Sequence, residues 1–457
     1  MRKPKPDLIP LNRLGIITDL YQLTMANGYS ALDKEDEIAT FDLFVRKLPK
    51  NRSYLMVCGL ESALYYLTTV RFTEEDIDLL RNKSVFKSAK EKFWEYLADF
   101  RFTGDAWAMP EGTIAFGNEP IMLVRAPIIE AQVVETYLLS CYNHQTKIAS
   151  KAARCVEAAK GTAVVEFGTR RTDPGAAIRG AKAAYIGGCV GTSNVMTEVL
   201  FNIPSFGTQA HSWIMSFESE EEAFEAYFQV YGSETLALID TYDTIQGARN
   251  AAMLPGSIKG VRLDSGDMTK LSINVREILD AAGKKEGMIF ASSDLNEYKI
   301  EAMLNKGAKI DAWGVGTELI LSKDAPTLGG IYKLALLEKN GNIIPKLKLS
   351  RNKKTYPGFK QVYRSYNNKN EPQQDILGVW EEYDGEMKGL LVPVIKKGKL
   401  VYDLPELSEA RSNGIKNRES LPSRFRQTNA DQSFEVKISP KLEALTKELI
   451  SKLNHSV

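Results

Sequence analysis

The chain has 457 residues, 44% hydrophobic and 26% charged, enough for two or three domains with packed cores. Lys plus Arg number 59 against 58 for Asp plus Glu, a net charge of +1 that removes the electrostatic case for a dedicated nucleic-acid binder. Cys58, Cys141, Cys155 and Cys189 form no CxxC pattern, so neither a disulfide framework nor a zinc knuckle is expected.

The basic start MRKPKPDLIP has no apolar run behind it, and no signal peptide is expected. Residues 1–135 read as a mixed α/β region. Thr73-Glu-Glu-Asp is a helix start ahead of Ile77, Leu79 and Leu80, and Thr113–Val124 reads as strands with turns at Gly112 and Gly117. A long helix is predicted from Val133 to about Ala159.

From Ala163 a period appears. Apolar strand-like runs occur at Ala163–Phe167, Ala184–Gly187, Pro204–Gly207, Leu236–Asp240, Gly260–Asp264, Met288–Ser292 and Ile310–Val315, their starts roughly 20 to 32 residues apart. Between them lies helical patterning. Ser219 with Glu222 has the form of a capping box, and Phe224, Tyr227, Phe228 and Tyr231 fall on one helix face. Such βα units close into a barrel or lie in an open doubly wound sheet, and the barrel is the expectation for residues 136–325. The uncharged stretch Val199–Phe217 is long enough to span a membrane, but Asn202, Pro204, Gly207, Gln209 and His211 argue against it. A soluble, cytoplasmic enzyme is the class that remains. Residues 326–457 form a third region. It has an apolar run at 331–338, then seven Lys or Arg and no acid from Lys346 to Arg364, and an amphipathic helix near 440–453.

In βα folds ligands sit at the carboxyl ends of the strands, so the residues after each apolar run carry the chemistry. These are Glu166 to Asp173, Gly191 to Asn194, Thr208 to Ser212, Arg262 to Asp267, Ser292 to Asp294 and Gly314 to Thr317. Gly314-Val-Gly-Thr317 suits either a phosphate cradle or a tight βα turn. Asp264 and Asp267 suit ribose hydroxyls or an ion such as Mg²⁺, or else helix capping. Arg170 and Arg171, beside Phe167, can grip a carboxylate or phosphate, or pair with Glu166 or Asp173. Of three histidines, His144 falls in the predicted long helix and His455 in the tail. His211 follows a strand end, where a neutral imidazole can serve as nucleophile or proton carrier, or else is a satisfied packing residue, as a lone histidine more often is.

Thr18-Asp-Leu-Tyr-Gln-Leu-Thr-Met25, Glu166-Phe-Gly-Thr-Arg-Arg171, Gly207-Thr-Gln-Ala-His-Ser212, Val261-Arg-Leu-Asp-Ser-Gly-Asp267 and Trp313-Gly-Val-Gly-Thr317 together resemble nicotinate phosphoribosyltransferases, in order and over roughly residues 10 to 440. The resemblance implies an α/β fold of the type II phosphoribosyltransferases: an irregular (β/α) barrel packed against an α/β domain built from both chain ends, working as a head-to-tail homodimer. It implies the joining of nicotinate to phosphoribosyl pyrophosphate, coupled to ATP and supported by Mg²⁺, in NAD biosynthesis. Nicotinate would stack between Phe167 and Tyr21 of the second subunit, in the segment that also holds Asp19. Arg170 and Arg262 would face its carboxylate, with Arg171, Ser193 and Thr208 nearby. Asp264 would hold ribose hydroxyls, Ser293, Gly314, Gly316 and Thr317 the 5′-phosphate, and Lys348, Lys354 and Lys360 the pyrophosphate. His211 would be phosphorylated by ATP.

Nicotinamide phosphoribosyltransferases carry an aspartate where Ser193 stands, and the missing charge favours a carboxylate substrate. The motif Gly207–Ser212 argues against a quinolinate enzyme, and no strand-end lysine supports an aldolase-like barrel. An inactive sensor would be expected to lack His211, Asp264 or Arg262.

Overall fold

The computed structural model describes residues 13–350, 353–383, 385, 387–430 and 432–454. The basic start and His455 lie outside the described residues. The chain divides into two compact units, residues 1–147 with 327–457, and residues 148–326. The division falls within the long helix, observed at Glu135–Ala158.

The first unit is built on an antiparallel seven-stranded sheet with both chain ends interleaved in it. Its order is Asn342–Pro345, Gly330–Lys339, Ile38–Val45, Pro120–Pro127, Asp105–Ala108, Val392–Lys396 and Lys399–Leu400. Ile38–Val45 is an interior strand and is buried along almost its whole length, which explains a strand that reads as a continuous apolar run broken only by Thr40 and Asp42. Around the sheet Leu23, Leu64, Tyr66, Phe93, Trp94 and Leu97 form one core. Thr73 caps helix Glu74–Arg81 through the reciprocal bonds of a capping box with Asp76. A four-stranded sheet of Lys388–Gly389, Lys360–Tyr366, Pro372–Val379 and Val436–Ile438 completes the unit, with the terminal helix Pro440–Asn454.

In the second unit six parallel strands run in the order Gly191–Thr192, Ala163–Glu166, Ala312–Val315, Met288–Ala291, Gly260–Leu263 and Leu236–Leu238. Every neighbour is a chain neighbour except that the first strand pairs with the last, Ala312 to Ala163 through Val315 to Glu166. That pairing is the signature of a barrel rather than an open doubly wound sheet. The ladder is interrupted between Gly191–Thr192 and Leu236–Leu238, where the chain contributes only the bridge Thr192–Ser205. Asp173, Asn194, Ser219, Asp243, Asp267 and Asn296 cap the helices that follow, each accepting a main-chain N–H.

Two expected strands are corrected. Ala184–Gly187 is the end of helix Pro174–Ile186, started by the Asp173 cap and Pro174. A short buried apolar run has the same composition in a helix as in a strand. Pro204–Gly207 supplies the single bridge at Ser205, since Pro204 has no N–H to donate to a ladder. At Ser219 the capping box is half as expected: Ser219 accepts from Glu222 N, but the Glu222 carboxylate accepts from Glu218 N. Val199–Phe217 folds as a helix end, a loop and the short helix His211–Met215. Among the described residues no helix is long and apolar enough to cross a membrane.

Candidate active site

The barrel gathers its polar side chains at the carboxyl ends of the strands, as βα geometry requires. Arg262, near the end of Gly260–Leu263, is the hub. Its Nε donates to Ser292 Oγ at 2.8 Å, one terminal nitrogen to Thr208 Oγ1 at 2.9 Å and the other to Asp264 Oδ1 at 3.0 Å. The guanidinium lies 5.9 Å from the centre of the Phe167 ring, which stacks at 5.3 Å on Phe290. Phe167 needs Gly314 beneath it, because a Cβ there would come within 2.6 Å of the ring.

Asp264 also accepts a hydrogen bond from Ser292, and its main-chain N–H donates to Asp240 Oδ2 at 2.9 Å. Burial works against its charge, but the bonds from Ser292 and Arg262 outweigh it and hold the carboxyl below its usual range. His211 opens the helix His211–Met215 with its side chain 41% exposed. Nδ1 lies 3.1 Å from Thr241 Oγ1, and Nε2 lies 3.8 Å from Asp264 Oδ2. His211, Asp264, Arg262, Thr208 and Phe167 thus form one contiguous array. Below it an apolar cavity of about 360 Å³ is lined by Val165, Phe167, Phe206, Tyr227 and Phe290.

Arg170 and Arg171 occupy the 3-10 turn Thr169–Arg171, both exposed and with no ion pair among the described residues. The alternative partners are engaged elsewhere: Asp173 caps helix Pro174–Ile186, and Glu166 is buried. Thr169 Oγ1 lies 3.3 Å from Ser193 Oγ, tying the arginine turn to the Ser193 segment. Ser293 is exposed with φ +102°, a conformation that serine rarely adopts and that is concentrated at functional positions. Gly316 precedes the short helix Thr317–Ile320, and a Cβ added to it would lie 3.1 Å from Phe167 O. Asp267 is a helix cap, accepting from Lys270 N.

The remaining expected residues belong to the first unit. Asp19 precedes helix Leu20–Ala31 and accepts from Thr136 Oγ1 at 2.9 Å, while Tyr21 is half-exposed. Burial and then the Glu135 carboxylate raise the Tyr21 phenol. Glu135 also lines a cavity of about 380 Å³ with Arg46, Lys333, Lys348 and Lys353. Lys354 is exposed, its ammonium 5.7 Å from the Tyr356 ring. Lys360 departs from expectation. It is buried, with Nζ bonded to Asp42 Oδ2 at 2.9 Å, Tyr356 O at 2.9 Å and Gly358 O at 2.7 Å. Three acceptors around one ammonium leave it a structural pin, not a ligand for pyrophosphate.

Asp240, Thr241 and Ser292 stand in the array without having been assigned a role from sequence. The signal was the same as elsewhere, since Asp240-Thr241 follows the run beginning at Leu236. Arg46 and Lys333 follow or lie within first-unit strands and carried no comparable signal.

Known proteins match this chain along nearly its whole length. Family models for the nicotinate phosphoribosyltransferase N-terminal domain, the quinolinate phosphoribosyl transferase C-terminal domain and the nicotinate phosphoribosyltransferase C-terminal domain match residues 16–143, 148–324 and 383–446. A nicotinate phosphoribosyltransferase of Mycobacterium tuberculosis is 41% identical over 440 residues, 93% of this chain and 92% of that protein. One from Bacillus subtilis is 38% identical, covering 93% of each. The crystal structure of human nicotinic acid phosphoribosyltransferase superposes with a TM-score of 0.83 at 25% identity, over 94% of this chain and 99% of that one. Identity of this extent, on a barrel with the arginine, aspartate and histidine at its mouth, leads to one assignment: the chain belongs to the nicotinate phosphoribosyltransferase family.

Proposed function

We propose that this enzyme joins nicotinate to phosphoribosyl pyrophosphate in the cytoplasm, as a step of NAD biosynthesis, and couples the reaction to ATP through a phosphohistidine at His211. The observation that carries the reading is His211 itself, an exposed imidazole held by Thr241 and facing Asp264 at the barrel mouth. A ring nitrogen of His211 forms a bond to the γ-phosphorus of ATP as the bond to the ADP oxygen breaks, and after the transfer step water takes the phosphoryl group as the P–N bond breaks, releasing phosphate and restoring the imidazole. In the transfer step the pyridine nitrogen bonds ribose C1 as the C1–O bond to pyrophosphate breaks.

That chemistry needs positioning more than a protein nucleophile. Phe167 offers a ring face to nicotinate, with Tyr21 of a second subunit on the other side. Arg170 and Arg171, free of ion pairs among the described residues, and Arg262 supply positive charge for its carboxylate. The neutral Ser193 brings no charge to repel it. Asp264 takes ribose hydroxyls, and Ser293 with Gly314–Thr317 takes the 5′-phosphate. Lys348, joined by Arg46, Lys333 and Lys353, makes a basic cavity suited to pyrophosphate, with Lys354 at its edge in sequence. Mg²⁺ fits Asp240 and Asp264: Asp240 Oδ1 is buried with no hydrogen-bond partner among the described residues, and carboxylate oxygens are what a hard cation takes. When bound, Mg²⁺ neutralises phosphate charge.

The test is formation of nicotinate mononucleotide from nicotinate and phosphoribosyl pyrophosphate, with and without ATP, by wild type and His211→Ala. ATP stimulation in wild type and its loss in the variant are expected. Product from nicotinamide alone would reassign the substrate, and no product from either base would sink the enzymatic reading.

A further inference from the structure

Glu166 ends the first barrel strand with its side chain fully buried, yet no cation touches it among the described residues. One carboxylate oxygen accepts the main-chain N–H of Gly168, and the other accepts Thr192 Oγ1 at 2.7 Å. The main-chain oxygen of Glu166 accepts Ser193 N at 2.9 Å. Thr192 Oγ1 in turn accepts Asn194 N at 3.1 Å, and Asn194 caps helix Val195–Phe201. One side chain therefore joins two strand-end segments. Gly168 begins the turn that carries Arg170 and Arg171, and Thr192 precedes Ser193.

The turn has little room to settle elsewhere. A Cβ on Gly168 would strike Ile320 of the helix Thr317–Ile320 and come within 2.7 Å of the Glu166 carboxylate. Burying a carboxylate without a countercharge is costly, and burial drives this group up to about 7. An apolar residue would stabilise the strand end more cheaply, but it would release both donors. What the carboxylate adds is a fixed spacing between the arginine turn and the Ser193 segment.

We infer that Glu166 is the positioning residue for recognition of the nicotinate carboxylate, clamping the Arg170–Arg171 turn to the Thr192–Ser193 segment through Gly168 N and Thr192 Oγ1. The inference rests on the substrate assignment above. Glu166 touches no substrate, and its effect is exerted through the turn it holds.

The experiment measures kcat and both KM values for wild type, Glu166→Gln, Thr192→Val and Thr192→Ser, with nicotinate and phosphoribosyl pyrophosphate varied in turn. Glutamine keeps the shape but offers one accepting oxygen for two donors. It is expected to raise the KM for nicotinate roughly 10- to 100-fold, the size of one lost charge-assisted hydrogen bond. The KM for phosphoribosyl pyrophosphate and kcat should stay within about threefold of wild type. Thr192→Val should reproduce the defect, and Thr192→Ser, which keeps the hydroxyl, should restore wild-type behaviour. Should Glu166→Gln fail to fold, the valine and serine pair decides alone. Equal rises in both KM values, a fall in kcat alone, or serine behaving like valine overturns the inference while nicotinate remains the substrate. Wild type that makes no product from nicotinate overturns the substrate assignment instead, and the clamp with it.

Discussion

Glu130 carries a carboxyl that burial pushes up to about 7, against hydrogen bonds from Thr103 N at 2.6 Å and Thr103 Oγ1 at 2.9 Å. It has no role at the barrel mouth, so it isolates the effect of pH on folding. The folded chain holds this proton across a window, from the ordinary 4.5 to about 7, in which the unfolded chain has lost it. Its contribution to stability is fully present below that window and is lost as pH rises through it. Glu130→Gln, which cannot ionise, is therefore expected to gain on wild type by a few degrees in Tm between about pH 5 and pH 8. A Tm difference that does not change with pH would show that the carboxyl titrates normally. Residues of this kind are illegible in sequence: Ile128, Ile129 and Ala131 announce a buried segment, but nothing says that the Glu130 carboxyl is buried with them. The array at the barrel mouth was more legible: Phe167, Arg262 and Asp264 stand at the ends of apolar runs and His211 follows one, and strand ends converge. Proximity alone separates Ser292, bonded to Asp264 and Arg262, from its neighbour Ser293. Lys360 misled for the opposite reason, since its partner Asp42 lies far away in sequence and a basic run looks the same whether solvated or paired.

Helix Met268–Ala281 begins at Asp267, whose carboxylate accepts from Lys270 N at 3.3 Å. Two residues earlier in the same turn, the Ser265 hydroxyl donates to Asp240 at 2.6 Å, and Asp264 faces Arg262 and Ser292. A single Asp-Ser-Gly-Asp turn thus divides its two carboxylates, one into the array and one onto a helix terminus. Asp267→Ala is expected to cost about 1 kcal/mol of stability, the usual size of a lost N-cap, while kcat/KM stays within about twofold. Denaturant unfolding and steady-state kinetics on the same preparation separate the two. Unchanged stability with a large fall in kcat/KM would return Asp267 to ribose or ion binding. At this scale the strands that alternate with capped helices were read from the sequence, and the two failures share a cause. Ala184–Gly187 and Pro204–Gly207 are apolar and short, so their state depended on what opened each segment. In the first case that was the Asp173 cap and Pro174, and in the second it was a proline without an N–H.

Across the whole molecule, the interleaving of both chain ends in one sheet was legible only through resemblance, since no local pattern says that Gly330–Lys339 will lie beside Ile38–Val45. The same holds for subunit assembly. Each unit nevertheless exposes an apolar helix face. Helix Leu20–Ala31 presents Leu20 and Tyr21, 47% and 49% exposed, and helix Val195–Phe201 presents Val195 and Val199, 67% and 74% exposed. Both helices thus leave apolar side chains uncovered within the single chain. In the head-to-tail homodimer that the resemblance implies and that is proposed above, Tyr21 of one subunit would complete the site whose His211 comes from the other, and each two-fold pair would hold two such shared sites. Tyr21→Ala and His211→Ala are each expected to be nearly inactive as pure dimers. Co-expressed in equal amounts, half the dimers are mixed, and each mixed dimer carries one site with both changes and one with neither. Activity should then return to about a quarter of wild type, because one site in two is intact in half the molecules. Sedimentation of the mixture checks that the dimers formed. If both residues come from one chain, mixing restores nothing, and the dimer, should it exist, does not share its sites.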